Sequence, residues 1–275
     1  MSPPRATAKP DTDLPTVISR MQRGGQGLVV VVDSRSAPIG IVTERDVLGR
    51  VATVGRVDPA IRADDVLSTN FLTIPPQTPV SQAAKTMMTE KTRLLVTRKN
   101  RVLKGVLTST NFLRSFQAHA KDILMEDAIT RKVRTVGASE TMKDAIRAMH
   151  QKRVGSLIVT DELGKPFGII TESDILRALK KKGTEPLNAD RLEFIASRPL
   201  VTAPYGTTAK EAISIMRAHK IKRLPLMKGE ELAGIVTARD LVRAYALRVR
   251  VLMRPNPRRA RRRRGRVRPA LAQSA

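Results

Sequence analysis

GIVTERD (residues 40–46), GVLTSTN (105–111), GIITESD (168–174) and GIVTARD (234–240) are four copies of one phrase. Each reads Gly, two aliphatics, Thr, two variable residues, then Asp or Asn. Successive copies begin 65, 63 and 66 residues apart. Four matches at near-constant spacing mark an internal repeat, in which each copy is one supersecondary unit that buries its core against its neighbours.

Upstream of each phrase lies a stripe of apolar residues at helical spacing. The stripes are Leu14, Val17, Ile18, Met21; Val80, Ala83, Ala84, Met87; Met142, Ala145, Ile146, Met149; and Ala209, Ala212, Ile213, Met216. The last Met precedes the phrase Gly by 18 or 19 residues each time. Thr78, Ser139 and Thr207 or Thr208 are the expected helix caps. A short aliphatic strand follows each stripe: Leu28–Val32, Leu94–Val96, Leu157–Val159 and Leu224–Leu226. The aliphatics of the phrase make the next strand, and a second helix is expected to start at the phrase Asp. Ahead of the stripes come short strands: Ala6–Ala8, poor in aliphatics, then Leu72–Ile74, Arg134–Val136 and Leu200–Thr202. Each copy is therefore β–α–β–β–α, an α/β fold. A unit this small is marginal alone. The expectation is two pairs: residues 1–118 for copies one and two, and residues 119–250 for copies three and four. The lobe boundary falls near Phe116–Lys121, and residues 251–275 form a disordered basic tail.

The phrase resembles that of tandem cystathionine β-synthase (CBS) domain proteins, and the resemblance covers nearly all of residues 6–247. It implies that the units pack through their sheets into two pseudo-two-fold CBS pairs, which bind AMP, ADP, ATP or S-adenosylmethionine in their clefts, as sensors rather than catalysts, with no cofactor required. A carboxylate at a helix start can accept bidentate, charge-assisted hydrogen bonds from ribose hydroxyls. Carried over, the ribose-binding pairs are Thr43 with Asp46, Thr171 with Asp174, and Thr237 with Asp240. Thr135 and Thr202, on the first strands, would read adenine, and Arg223 would meet phosphate. Copy two departs from the pattern, with Asn111 after Thr108, so its half-site is expected to be weak or empty. Copy one has Gly24-Gly-Gln-Gly27 where the others carry Lys91 and Arg93, Arg153, or Lys222 and Arg223. The best sites are therefore expected at Asp174 and Asp240. Such pairs often dimerise into flat discs, so a homodimer is possible.

The 275 residues carry 51 Lys and Arg against 25 Asp and Glu, a net charge of +26. That excess points to a polyanionic partner. Nine Arg and no acid lie in residues 254–275; such a block repels itself and stays unfolded until neutralised. Arg258, Arg259, Arg261, Arg262, Arg263, Arg264, Arg266 and Arg268 are the candidate phosphate contacts, since guanidinium binds phosphate bidentately. About six contacts would give a log–log salt slope of about −4 to −5. RNA or the ribosome is favoured over DNA, because no DNA-reading motif is present. The alternatives are a CBS scaffold that regulates an enzyme or transporter by protein contact, and a constitutive nucleic-acid binder with empty clefts.

The core must be aliphatic, since aromatics are 3% and Trp is absent. Without Cys, no disulfide or thiolate metal site can form. His119, His150 and His219 are scattered, and no metal site is expected. There is no secretory h-region, no bilayer-spanning apolar run and no P-loop. No acid/base pair suggests catalysis. The expected protein is a cytoplasmic, non-enzymatic regulator with no membrane partner.

Overall fold

The computed structural model describes residues 4–90, 92–97, 101–116, 125–182, 187 and 191–252. The candidate arginines Arg258 through Arg268 lie outside that set, as do residues 117–121 of the expected lobe boundary, together with Lys91 and His119.

Repeat one comprises β1 (Thr7–Ala8), α1 (Leu14–Gly24), β2 (Leu28–Val32), β3 (Pro38–Thr43) and α2 (Glu44–Val54). Repeat two comprises β4 (Phe71–Ile74), α3 (Val80–Thr89), β5 (Arg93–Thr97), β6 (Leu103–Leu107) and α4 (Ser109–Phe116). Repeat three has β7 (Thr135–Gly137), α5 (Met142–Lys152), β8 (Ser156–Thr160), β9 (Pro166–Thr171) and α6 (Glu172–Lys182). Repeat four has β10 (Ala203–Pro204), α7 (Ala209–Ala218), β11 (Arg223–Lys228), β12 (Glu231–Thr237) and α8 (Ala238–Leu252). Each repeat makes its own three-stranded sheet in sequence order. The first two strands are parallel, joined by a helical crossover, and the last two are an antiparallel hairpin.

Several local expectations need correction. The second helix starts two residues before the phrase Asp, which is its third residue: Thr43 caps α2 with its hydroxyl, and Asp46 reaches back to the cap. Helix α5 is capped by Thr141, not Ser139, through the same box with Asp144. Thr78 caps nothing; its hydroxyl turns back to the Pro75 carbonyl at 2.8 Å, and the cap position of α3 is Pro79. Thr208 does cap α7, and Asp13, which the sequence reading passed over, caps α1. Val80 is exposed because it borders a crevice of about 140 Å³ with Ile74, Asn111 and Phe112. The other stripe residues are buried. The first strand of repeat four is Ala203–Pro204, so Thr202 lies just ahead of it.

The phrase glycine has a specific task. In every hairpin it pairs at the last regular position before a bulge: Val31 with Gly40, Val96 with Gly105, Val159 with Gly168, and Leu226 with Gly234. At three of these glycines a segment from the paired repeat lies against Cα. A Cβ would come within 2.8 Å of Leu67 at Gly40, 3.2 Å of Ala196 at Gly168 and 2.8 Å of Ile129 at Gly234. The same segments bond to the phrase strands through Ser68–Ile41, Ser197–Ile169 and Thr130–Ile235. The chain entering each of these repeats is thus laced onto the hairpin of its pair-mate.

The cores show a second set of partners. Strand β2 is buried on both faces, as an unbroken aliphatic run requires. Leu28, Val30 and Val32 meet Leu95 and Val106, joining repeats one and two through their sheets. Val29 and Val31 face the opposite way, into a large core that unites repeats one and three through their helices. An equivalent core unites repeats two and four, with Phe112, Phe116, Leu241 and Val242 among its members. Phe116 stacks on Tyr245 with ring centroids 3.7 Å apart. Sheet contacts run one way and helix contacts the other, so the four repeats close into a ring.

Candidate functional site

Each phrase ends in a Thr–Asp or Thr–Asn clasp at a helix head. Asp46 Oδ2 accepts from the Thr43 N–H at 2.8 Å and the Thr43 hydroxyl at 2.7 Å. Asp174 Oδ2 does the same with Thr171 at 2.9 and 2.6 Å, and Asp240 Oδ2 with Thr237 at 3.2 and 2.6 Å. In repeat two, Asn111 Oδ1 accepts from Thr108 at 2.9 Å in both bonds. In the three aspartate repeats one side-chain oxygen is therefore spent on capping and the second is left for other contacts, whereas Asn111 has an NH2 in its place.

Those second oxygens differ. Asp174 is only 6% exposed. Its Oδ1 accepts from Arg177 at 3.0 Å and from the Ser197 hydroxyl at 3.2 Å, so Ser197 is part of this cluster although the phrase does not contain it. Asp240 Oδ1 pairs with Arg243 at 3.2 Å, and its side chain is 16% exposed. Asp46 has Gly49 at the position that holds Arg in the other two, so it lacks their i+3 guanidinium partner. In repeat two the amide carries no charge, and the capping bonds fix its oxygen inward and its NH2 outward.

The helix heads bring charges from all four repeats together. Arg45, at the head of α2, donates to Glu172, at the head of α6, at 3.1 Å. The Arg223 guanidinium and the Glu172 carboxylate both close over Gly155, where an added Cβ would lie 2.7 and 2.9 Å from them. Burial pushes the Glu44 carboxyl above the usual carboxylate range; Lys222 and Arg223 oppose that rise, while Glu172 adds to it. Ser173 also donates a hydrogen bond to Glu44. Burial depresses Arg93, and the neighbouring Arg239 and Arg45 push in the same direction, against Glu172 and Asp46. A cluster of five cations and two carboxylates thus sits beside the Thr–Asp clasps.

Of the remaining sequence candidates, Arg223 belongs to this cluster. Thr202 lines an open cavity of about 610 Å³ between repeats three and four, with Phe167, Leu200, Met227 and Gly229. Thr135 is exposed on β7. The residues that the sequence reading missed are Glu44, Arg45, Glu172 and Arg239, which occupy the two variable positions of the phrase, and Ser197.

Residues 1–53, 63–118, 120–181 and 192–247 each match the CBS domain family. The chain belongs to the CBS domain family. CBS domains typically bind adenosine nucleotides in a regulatory role. The uncharacterized protein MJ1404 of Methanocaldococcus jannaschii is 26% identical over 260 residues, covering 87% of this chain and 59% of that protein. Inosine-5'-monophosphate dehydrogenase of Aquifex aeolicus is 32% identical over 110 residues, covering 40% of this chain and 22% of the enzyme. This CBS protein thus spans only part of the curated relatives it matches. The crystal structure of protein MJ1225 from Methanocaldococcus jannaschii superposes with a TM-score of 0.75 at 20% identity, over 87% of this chain and 95% of that one; it shows the four-repeat fold. Among the described residues no helix is long and apolar enough to cross a membrane.

Proposed function

We propose that this CBS protein is a non-catalytic regulator that senses an adenine nucleotide: AMP, ADP, ATP or S-adenosylmethionine. The supporting observation is the placement of the Thr237–Asp240 clasp at the head of α8, next to cations contributed by different repeats. The ribose binds at the outward oxygen of Asp240, displacing Arg243. Asp174 offers the same chemistry where Arg177 and Ser197 give way, and Asp46 offers it at the head of α2. Thr135 and Thr202 flank the adenine, and phosphates point toward Arg223, Lys222 and Arg93. A ligand that touches two repeats favours the ring geometry in which they are close, and that differential affinity is the source of regulation.

Calorimetry of the whole chain with the four compounds tests this. Heat is expected with at least one of them and loss of affinity in Asp240→Asn. No heat with any of the four overturns it.

The net charge of +26 favours a second property, binding of nucleic acid through the basic surface and Arg258–Arg268, with RNA or the ribosome as partner. Its test is sedimentation with ribosomes, with and without residues 254–275, across a salt series. A protein that stays at the top of the gradient in both forms overturns this reading.

A further inference from the structure

The two variable positions of the phrase follow a rule across the ring. In repeats one and three the first is Glu (Glu44, Glu172) and the residue before the second strand is Gly (Gly27, Gly155). In repeats two and four the first is small (Ser109, Ala238), and the second strand begins with Arg (Arg93, Arg223). The odd repeats supply both carboxylates, and the even repeats supply every cation of the cluster except Arg45. The glycines leave room for the carboxylates: a Cβ on Gly27 would stand 3.3 Å from Glu44, and one on Gly155 would stand 2.9 Å from Glu172.

We propose that Glu44 and Glu172 determine ligand specificity by acting as built-in counter-anions, occupying the cations that phosphates would otherwise meet and selecting against ligands of high negative charge. This rests on the adenine-nucleotide reading above. The carboxylates already neutralise part of the cationic cluster: Glu172 holds Arg45 and shares the space over Gly155 with Arg223, and Glu44 faces Lys222 and Arg223. Each added phosphate charge must approach two carboxyl groups at partly desolvated positions, where charge–charge energies are several times those in water.

The selection is coupled to protons. The groups facing Glu44 are Lys222, Arg223, Glu172 and Ser173. Burial already favours its protonated form, and an approaching anion favours it further. Anion binding therefore takes up a proton at Glu44 and weakens as the pH rises through its titration.

The test compares wild type, Glu44→Gln and Glu172→Gln with adenosine, AMP, ATP and inorganic tripolyphosphate. Both substitutions are expected to tighten ATP and tripolyphosphate by roughly tenfold, the scale of one charge contact at a partly buried site, AMP by less, and adenosine not at all. Wild-type affinity for sulfate, whose charge is constant, is expected to fall as the pH rises above 4.5, the ordinary glutamate value that burial pushes up at Glu44, with no such fall in Glu44→Gln. Sulfate on the wild type needs no variant to fold. Equal changes for adenosine and ATP, or sulfate binding that ignores pH, overturn the proposal. If tripolyphosphate discriminates the variants while no adenine compound binds, the nucleotide reading falls and the counter-anion role stands. If adenosine binds but charge has no effect, the reverse holds.

Discussion

The Ser197 hydroxyl donates to Asp174 Oδ1 at 3.2 Å, so the chain leading into repeat four touches the helix head of repeat three. The clefts of this CBS protein are thus shared property, with the clasp from one repeat and part of its wall from its pair-mate. Ser197→Ala removes one of the two bonds to Oδ1 of a buried carboxylate, which keeps Arg177 there and Thr171 on its other oxygen. A loss of about 1–2 kcal/mol is expected by urea denaturation.

Lacing of repeats through the phrase glycine predicts an asymmetric double mutant. In Gly234→Ala the new methyl meets Ile129 Cγ2 at 2.8 Å, and overpacking of this kind costs about 1–3 kcal/mol. Ile129→Ala on its own background costs stability through lost packing. Combined, the two are expected to be less destabilising than their sum, because truncating Ile129 makes the space that the new methyl needs. Additive losses would place the cost of Gly234→Ala in its backbone rather than against Ile129.

Helix caps separate Thr78, expected from the sequence to be a cap, from Thr141, which takes the cap expected at Ser139. Thr141→Ala is expected to cost about 1 kcal/mol, the value of a lost cap, whereas Thr78→Ala, whose hydroxyl only closes a local turn, is expected to change the melting temperature little. The first difference depends on pH. Hydrogen bonds from the Thr141 hydroxyl and N–H hold the Asp144 carboxyl below its ordinary 3.8. A carboxyl depressed on folding contributes stability above its unfolded value and loses it as the pH falls through the folded one. The gap between wild type and Thr141→Ala therefore shrinks on acidification below 3.8, as thermal melts across a pH series would show.

What the sequence made legible follows from periodicity. Four phrases and four stripes place every helix and hairpin, because burial on one face imposes a period that survives in one dimension. Ring closure is not periodic. Val29 and Val30 are neighbours in one strand, yet one enters the core with repeat three and the other the core with repeat two; a run of identical residues carries no sign of that division. The clasp was legible from Thr and Asp three apart, but its inward half reads the same as a plain cap. Glu44 and Glu172 were hidden because the phrase was aligned for what its copies share. Their pattern appears only when odd and even copies are compared separately, together with the residue before the second strand.

Contact between repeats two and four through their helices predicts a large effect at Phe116. It is fully buried, stacks on Tyr245 at 3.7 Å and lies 5.8 Å from Phe112. Phe116→Ala is expected to cost about 3–5 kcal/mol. Because the ring spans two repeats, its loss is expected to lower the whole unfolding transition rather than split off repeat two. Two separated transitions in calorimetry would show that the ring is not one cooperative unit.

The clasp decides how the ligand site should be probed. An Asp240→Ala substitution would remove the proposed ribose contact and also the bonds that cap α8, so a loss of binding would not distinguish the two. Repeat two supplies the better change: Asn111 keeps both capping bonds with Thr108 at 2.9 Å. Asp240→Asn is therefore expected to fold with nearly wild-type stability while presenting an amide donor where the carboxylate presented an acceptor. A ribose hydroxyl then loses a charge-assisted bond, for an expected loss of about 1.5–3 kcal/mol, or roughly tenfold to a hundredfold in affinity. The reciprocal change, Asn111→Asp, restores the acceptor in repeat two with its cap intact and is expected to raise the number of bound nucleotides per chain. An Asp240→Asn protein that melts and binds like wild type would remove Asp240 from the site.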